Sequence, residues 1–124
     1  MNLRSLQAAG AAVLLGAAMS VVAFATPASA GCARGYYDWD KLPVGKLFDG
    51  SNVNIRTGPF LSCGVVGTGQ LSHSVDFWCY TTGDTVTRND ETMRTWTFVR
   101  DTTNGATGWV ADLFLDYNGS GYSC

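Results

Sequence analysis

A short segment around the chain's one histidine brings together the residue types of a nucleophilic site. His73 lies between Ser72 and Ser74, and Asp76 follows three residues later. Such a set could activate a serine hydroxyl, but only where a scaffold brings the three side chains together and fixes the histidine tautomer. Neighbours along one turn do not have that geometry. We therefore expect His73 to be a solvated loop residue, and we predict that the protein is not an enzyme.

Carboxylates and metal ligands give no stronger indication of catalysis. A glycosidase needs two carboxylates about 5 to 9 Å apart in a cleft, whereas Asp90 and Glu91 lie in a polar stretch that predicts a solvated turn. One histidine and dispersed acids match no metal-ligand spacing. The sequence predicts no metal site and no cofactor.

Four cysteines, Cys32, Cys63, Cys79 and Cys124, indicate two disulfides, since they contain no C-x-x-C pair and their spacings are long. Sequence alone permits three pairings. We favour Cys63 with Cys79, across neighbouring strands, and Cys32 with Cys124, which would tie together the two ends of the mature chain.

Residues 1–30 have the layout of a secretory signal peptide. Arg4 precedes an apolar run, and Ala28-Ser29-Ala30 forms a cleavage site. We expect a secreted, extracellular protein that is associated with the cell wall and has no membrane span. Its mature chain should begin at Gly31. The alternative is a lipoprotein modified at Cys32, but acylation would leave an odd number of cysteines.

The charge of the mature chain argues against nucleic acid as a partner. Without Arg4 it carries seven basic and ten acidic residues, a net charge of −3. Phosphate-backbone binding needs clustered Lys and Arg, whereas these basic residues are scattered singly among acids.

Alternating polar and apolar residues predict an all-β fold of about five strands. We place the strands at residues 52–56, 63–68, 75–80, 95–100 and 107–110, with a long hairpin loop over 81–95 and a tight turn at Asn104-Gly105. Residues 111–115 predict a single helical turn. Gly58-Pro59 ends the first strand, where Gly58 can take a positive φ and Pro59 offers no amide proton.

The segment Val53-Asn-Ile-Arg-Thr-Gly-Pro59, followed about fifty residues later by Gly108-Trp109-Val110, resembles the signature of bacterial SH3-like domains. The resemblance implies a small SH3-like β-barrel over residues 51–117, preceded by an N-terminal extension (31–50) and followed by a tail (118–124) tied by a disulfide. It also implies a buried Trp109 and a binding role. The pair Cys63 and Cys79 is similar to that of small secreted actinobacterial members.

Exposed aromatic side chains are the candidate binding residues. The strand alternation places Trp78 and Tyr80 on the outer face, where they could form a groove with Phe60, Tyr37 and Trp39. Aromatic walls bury a large area with few rotatable bonds to fix. The alternative is that the extension packs over Trp78 and Tyr80 and covers the edge of the sheet.

These observations favour a non-catalytic module. The resemblance implies a ligand in the cell envelope, such as the peptide or glycan of peptidoglycan. The alternative is a secreted inhibitor or effector that binds a protein partner, for which a disulfide-stapled barrel is a suitable rigid frame.

Overall fold

The computed structural model describes residues 31–41 and 46–124, and the predicted signal peptide lies outside them. Residues 31–124 form one compact unit. It contains five strands followed by two short 3-10 helices: β1 (Val53–Arg56), β2 (Val65–Gly69), β3 (Val75–Arg88), β4 (Glu91–Asp101), β5 (Thr107–Ala111), Asp112–Phe114 and Asp116–Asn118. The predicted all-β class, the number of strands and the helical turn after β5 are confirmed.

All five strands belong to one antiparallel sheet with the order β2-β1-β5-β4-β3. Strands β2 and β3 are therefore its two edges. The predicted turn at Asn104-Gly105 joins β4 to β5, and Gly105 takes a φ of +83° and donates its N–H to Asp101 O at 2.7 Å. A positive φ at this point is the reason for glycine in the turn.

Both faces of the sheet are covered. One face carries the larger apolar cluster, made by Phe48, Val53, Ile55, Val75, Phe77, Val99, Val110 and Leu115. The other carries an aromatic cluster, made by Trp96, Phe98, Trp109 and Ala111. Neighbours on β4 and β5 alternate between the two clusters, as the period of a strand requires. Trp109 is 1% exposed, so its predicted burial is confirmed.

The predicted long loop over residues 81–95 is wrong, because β3 and β4 continue through it as a hairpin. The turn is Asn89-Asp90, with φ of +50° and +65°, which is the backbone of a two-residue hairpin turn. Threonine is frequent here and suits a strand, and Thr87 and Thr92 pair with their hydroxyls 2.9 Å apart. Because polar residues lie on both faces of this hairpin, its sequence lacks the alternation of polar and apolar residues that predicts a strand.

Strand β3 contains a bulge, so the predicted orientation of its side chains is wrong beyond Phe77. The pairing with β4 shifts between Phe77 and Cys79, so that Phe77 faces Val99 and Cys79 faces Phe98. Phe77 belongs to the larger apolar cluster, whereas Trp78 packs against the aromatic cluster. The extra residue of a bulge reverses the alternation beyond it, and no pattern of hydrophobicity indicated it.

Both disulfides form, but the favoured pairing is wrong: Cys32 is bonded to Cys63, and Cys79 to Cys124. Cys63 precedes β2, which lies at the opposite edge of the sheet from β3, so it does not face Cys79. Its neighbour is the start of the extension. The tail is tied by a disulfide as predicted, with Cys79 as the partner.

The outer edge of β3 is covered by segments from the two ends of the unit formed by residues 31–124. Asp40 N–H donates to Trp78 O at 3.0 Å, Tyr80 N–H donates to Tyr122 O at 2.8 Å, and Cys124 N–H donates to Tyr80 O at 2.9 Å. These bonds satisfy backbone groups that would otherwise offer a template for another strand. The extension therefore covers the sheet edge at Trp78, in line with the alternative that the sequence left open, whereas the tail covers it at Tyr80.

Candidate binding site

A cleft of about 230 Å³ opens between β1, the β3–β4 hairpin and the first 3-10 helix. Its floor is mainly apolar and includes Val86, Trp96, Ala111 and Phe114, and Val53 and the exposed Leu61 also line the cleft. Its rim is polar and is formed by Ser51, Asn52, Asn54 and Arg56. The volume is below the roughly 300 Å³ at which pockets for drug-sized ligands begin. The cleft therefore suits a short segment of a larger ligand.

The floor places a large residue beside a small one. Trp96 on β4 pairs directly with Ala111 on β5, and both residues line the cleft. Trp96 Nε1–H donates to Asp84 O at 3.0 Å. This bond satisfies the polar atom of a side chain that is only 2% exposed, and it holds the ring in one orientation.

Arg56 is both a support of the loop and part of the cleft. Its Nη1 donates to Leu61 O at 3.1 Å and to Cys63 O at 3.0 Å. A guanidinium has five donor hydrogens, of which Nη1 carries two, and the Nε and Nη2 donors make no hydrogen bond within residues 31–41 and 46–124.

A second arginine fixes the opposite wall. Arg88 Nη1 donates to Leu113 O at 2.9 Å and lies 3.4 Å from Asp49 Oδ2. Its guanidinium carbon is 4.9 Å from the ring centroid of Phe114, a distance that allows cation–π attraction. The ring of Phe114 is thus held in the floor from its far side.

Gly58 keeps the loop beside the cleft close to the extension. A Cβ atom here would clash with the backbone of Cys32, so glycine is required by the close approach of two chain segments. The prediction of a positive φ at Gly58 is wrong. The Cys32–Cys63 bond and the hydrogen bond from Leu61 N–H to Asp84 Oδ2 at 2.8 Å fix the same loop. These contacts hold one wall of the cleft in place before any ligand arrives.

Two of the five predicted groove residues form an exposed aromatic pair on the extension. Tyr37 is 57% and Trp39 is 54% exposed, with ring centroids 5.6 Å apart. We call these two residues the exposed pair. Neither of them lines the cleft.

The other three predicted residues, Phe60, Trp78 and Tyr80, are half-buried and contact the chain itself. The Phe60 ring lies under Arg34, whose guanidinium carbon is 5.1 Å from the centroid. Trp78 is 5.8 Å from the ring of Tyr36, which stacks on Phe98 at 3.7 Å. Tyr80 is bonded through its backbone to the tail. Contact of any of the five with a ligand stays a prediction.

The carboxylate next to Trp78 lies in an acidic environment. Asp76 Oδ2 accepts a hydrogen bond from Trp78 Nε1 at 3.1 Å. Burial raises the pKa of Asp76 above its ordinary value, and the charges of Asp38 and Asp40 raise it further, while the bond from Trp78 opposes the change. A proton on Asp76 would leave that bond intact, because a carboxyl group retains an acceptor oxygen.

His73 is not the solvated residue that the sequence predicted. Its Nδ1 lies 2.6 Å from Oδ2 of Asp101, a fully buried carboxylate that accepts the bond. Asp101 Oδ1 accepts from the backbone N–H groups of Thr103 and Asn104. His73 thus joins the loop before β3 to the β4–β5 turn. Asp76, the acid near it in sequence, is bonded to Trp78 instead.

Asp112, next to Ala111 of the cleft floor, is buried among hydroxyl groups. Thr97 Oγ1 donates to Asp112 Oδ1 at 2.6 Å, and Ser120 N–H donates to Thr97 Oγ1 at 3.0 Å. Burial raises the pKa of Asp112 to about 6, although hydrogen bonds from Thr95 and Thr97 oppose the rise. A Cβ at Gly119 would clash with this carboxylate, so the tail packs closely against it.

The described part of the chain contains neither a metal-binding cluster nor a membrane-spanning helix. Residues 31–41 and 46–124 contain no group of three or more His, Cys, Asp or Glu side chains placed to hold a metal ion. None of the helices in those ranges has the length and apolar character needed to cross a bilayer.

Comparison with known proteins gives one partial relative. The chain is 35% identical over 74 residues to the uncharacterized protein YraI of Bacillus subtilis (strain 168), a match that covers 57% of this chain and 61% of the relative. The chain therefore spans less than two-thirds of that protein's length. No family model matches the sequence, and no solved structure matches it.

Proposed function

We propose that this chain is a secreted, non-catalytic binding module of the bacterial SH3-like type, and that its cleft takes the peptide part of a cell-wall component such as peptidoglycan. The observation that carries the proposal is the cleft itself. An apolar floor with a few polar groups at the rim, on a sheet fixed by two disulfides, is the usual form of a small binding site. The disulfides also suit an oxidising, extracellular setting.

The SH3-like part of the proposal is supported by the order of elements after β1. The elements follow one another in the order that is typical of that family. They are a loop at Gly58-Pro59, the β3–β4 hairpin, a tight turn, a Gly-Trp-Val strand and a 3-10 helix. Closure of the sheet into a barrel is supported by two isolated bridges, from Leu47 to Ser74 and from Phe48 to Leu115. They connect the segment before β1 with the start of β3 and with the residue after the first 3-10 helix.

A protein partner is the second candidate, and the exposed pair favours it. Monomeric proteins expose single apolar residues routinely, but Tyr and Trp are enriched where proteins bind one another. Tyr37 and Trp39 are both more than half exposed and contact each other. Their place on the extension puts them outside the cleft, so the two candidates can be tested separately.

Sedimentation with protein-free peptidoglycan tests the proposal. Mature, oxidised protein is expected to be retained in the pellet at low and at high salt, because contacts in an apolar cleft are screened far less than exposed charges. The double variant Tyr37→Ser/Trp39→Ser should be retained equally, since both residues lie on the surface away from the cleft.

The opposite results would separate the candidates. Recovery of the protein only in the presence of a protein extract, and its loss in the double variant, would support the inhibitor or effector. Failure of the wild-type protein to sediment with peptidoglycan at either salt concentration would overturn the wall-binding proposal.

A further inference from the structure

The charge of the cleft is opposite to that of the chain as a whole. Arg56 is the charged residue among those that line it, although the mature chain has more acids than bases. A second cation, Arg88, stacks on Phe114 of the floor. It also donates hydrogen bonds to Leu113 O and to Asp49 Oδ2. Asp84 holds the adjoining loop through Leu61 N–H and is not a lining residue. The lining therefore favours an anionic group.

Arg56 has the donors that a carboxylate needs. The loop carbonyls of Leu61 and Cys63 use Nη1 and thereby fix the plane of the guanidinium. Nε and Nη2 remain without a partner among the described residues, and together they form the side of the fork that binds a carboxylate through two parallel hydrogen bonds. A planar group held in this way loses little freedom when it binds.

We propose that the cleft recognises a peptide through one of its carboxylates, which binds Nε and Nη2 of Arg56, while an adjacent small apolar side chain lies over Trp96 and Ala111. This inference rests on the proposed function, since it names the chemistry of the ligand at the same site. At the end of a peptide chain, a terminal carboxylate and the last side chain are next to each other, which is the arrangement that this proposal requires.

Two probes that differ in one group test the role of the carboxylate. N-acetyl-alanyl-alanine and its C-terminal amide are each titrated at millimolar concentration into ¹⁵N-labelled protein, and amide chemical shifts are followed. The acid should shift resonances of the cleft and bind about tenfold or more tightly than the amide, because hydrogen bonds to an ionised group are the stronger ones. Equal binding of both probes would overturn the proposal.

A charge change beside Arg56 tests the site without releasing the loop. Replacement of Arg56 itself would also remove the bonds to Leu61 and Cys63, so we use Asn54→Asp on the exposed rim. It is expected to weaken binding of the acid by about fivefold or more, and to weaken binding of the amide less. Asn118→Asp adds the same charge outside the cleft and should change neither.

The results distinguish this inference from the function on which it rests. The inference is wrong if the acid causes no shifts in the cleft, or if Asn54→Asp has no more effect than Asn118→Asp. In that case, retention on peptidoglycan would still support a wall-binding module with another site. Loss of both peptide binding and retention would remove the proposed function as well.

Discussion

Replacing Cys79 and Cys124 together by serine is expected to lower the free energy of unfolding by about 4 kcal/mol. The bridge joins residues 45 apart in sequence, and closure of a loop of that length restricts the unfolded chain by this amount in the chain-entropy model. The tail would then be held by its hydrogen bonds to Tyr80 and by the bond from Ser120 N–H to Thr97 Oγ1. Denaturant unfolding of the oxidised proteins measures the difference.

The double variant Cys32→Ser/Cys63→Ser is the matched comparison, since it removes the other bridge and leaves Cys79–Cys124 in place. Its sequence separation is 31, and its expected effect is similar, again about 4 kcal/mol. An unchanged unfolding midpoint in either variant would contradict the structure. Recovery of a peptide that links Cys63 to Cys79 from the wild-type protein would do the same.

Stability is expected to fall by about 3 kcal/mol as the pH rises from about 4 to about 6, because of Asp112. Its pKa is about 6 in the folded chain and takes the ordinary value of 3.8 when the chain unfolds, so the folded state holds the proton more tightly. The stabilising contribution of the protonated group is complete below pH 3.8 and is lost as the pH rises to about 6.

Asp112→Asn isolates this contribution from the titration of other groups. Asparagine keeps an acceptor for Thr97 Oγ1 and carries no charge at any pH. The difference in unfolding free energy between the wild-type protein and the variant should therefore change across this range and be constant above it. A difference that does not vary with pH would show that Asp112 is not buried as the structure has it.

The features that sequence revealed are those with a local cause. Alternation set the position of β1, and Asn104-Gly105 marked a turn that depends on a positive φ. Trp109 is buried as expected. The first two follow from a few neighbouring residues, whereas the burial of Trp109 was implied by the resemblance to SH3-like domains.

The features that sequence did not reveal depend on distant segments. The pairing of the cysteines follows from the positions of β2 and β3 at opposite edges of the sheet, which four cysteines alone do not determine. The partner of His73 is 28 residues away in sequence. In the hairpin, a shift in pairing between Thr82 and Val86 breaks the period on which strand prediction relies.

The sequence indicated the rim of the cleft but not its floor. Asn52, Asn54 and Arg56 alternate with apolar residues in the first strand of the sequence, and these three residues form most of the rim. The floor was missed because Val86 lay in the predicted loop and because Trp96 and Ala111 meet only when β4 and β5 pair. The signal in the sequence that could have indicated the cleft was the cluster of polar residues on the first strand, which form its rim.

The measurement that tests the central claim most directly is a titration of ¹⁵N-labelled mature protein with soluble peptide fragments released from purified peptidoglycan. We expect chemical-shift changes confined to the cleft, at Ser51 to Asn54, Arg56, Leu61 and Phe114. Changes confined to Tyr37 and Trp39 would place the binding site on the exposed pair instead. The absence of any change would contradict the assignment of this chain as a wall-binding module.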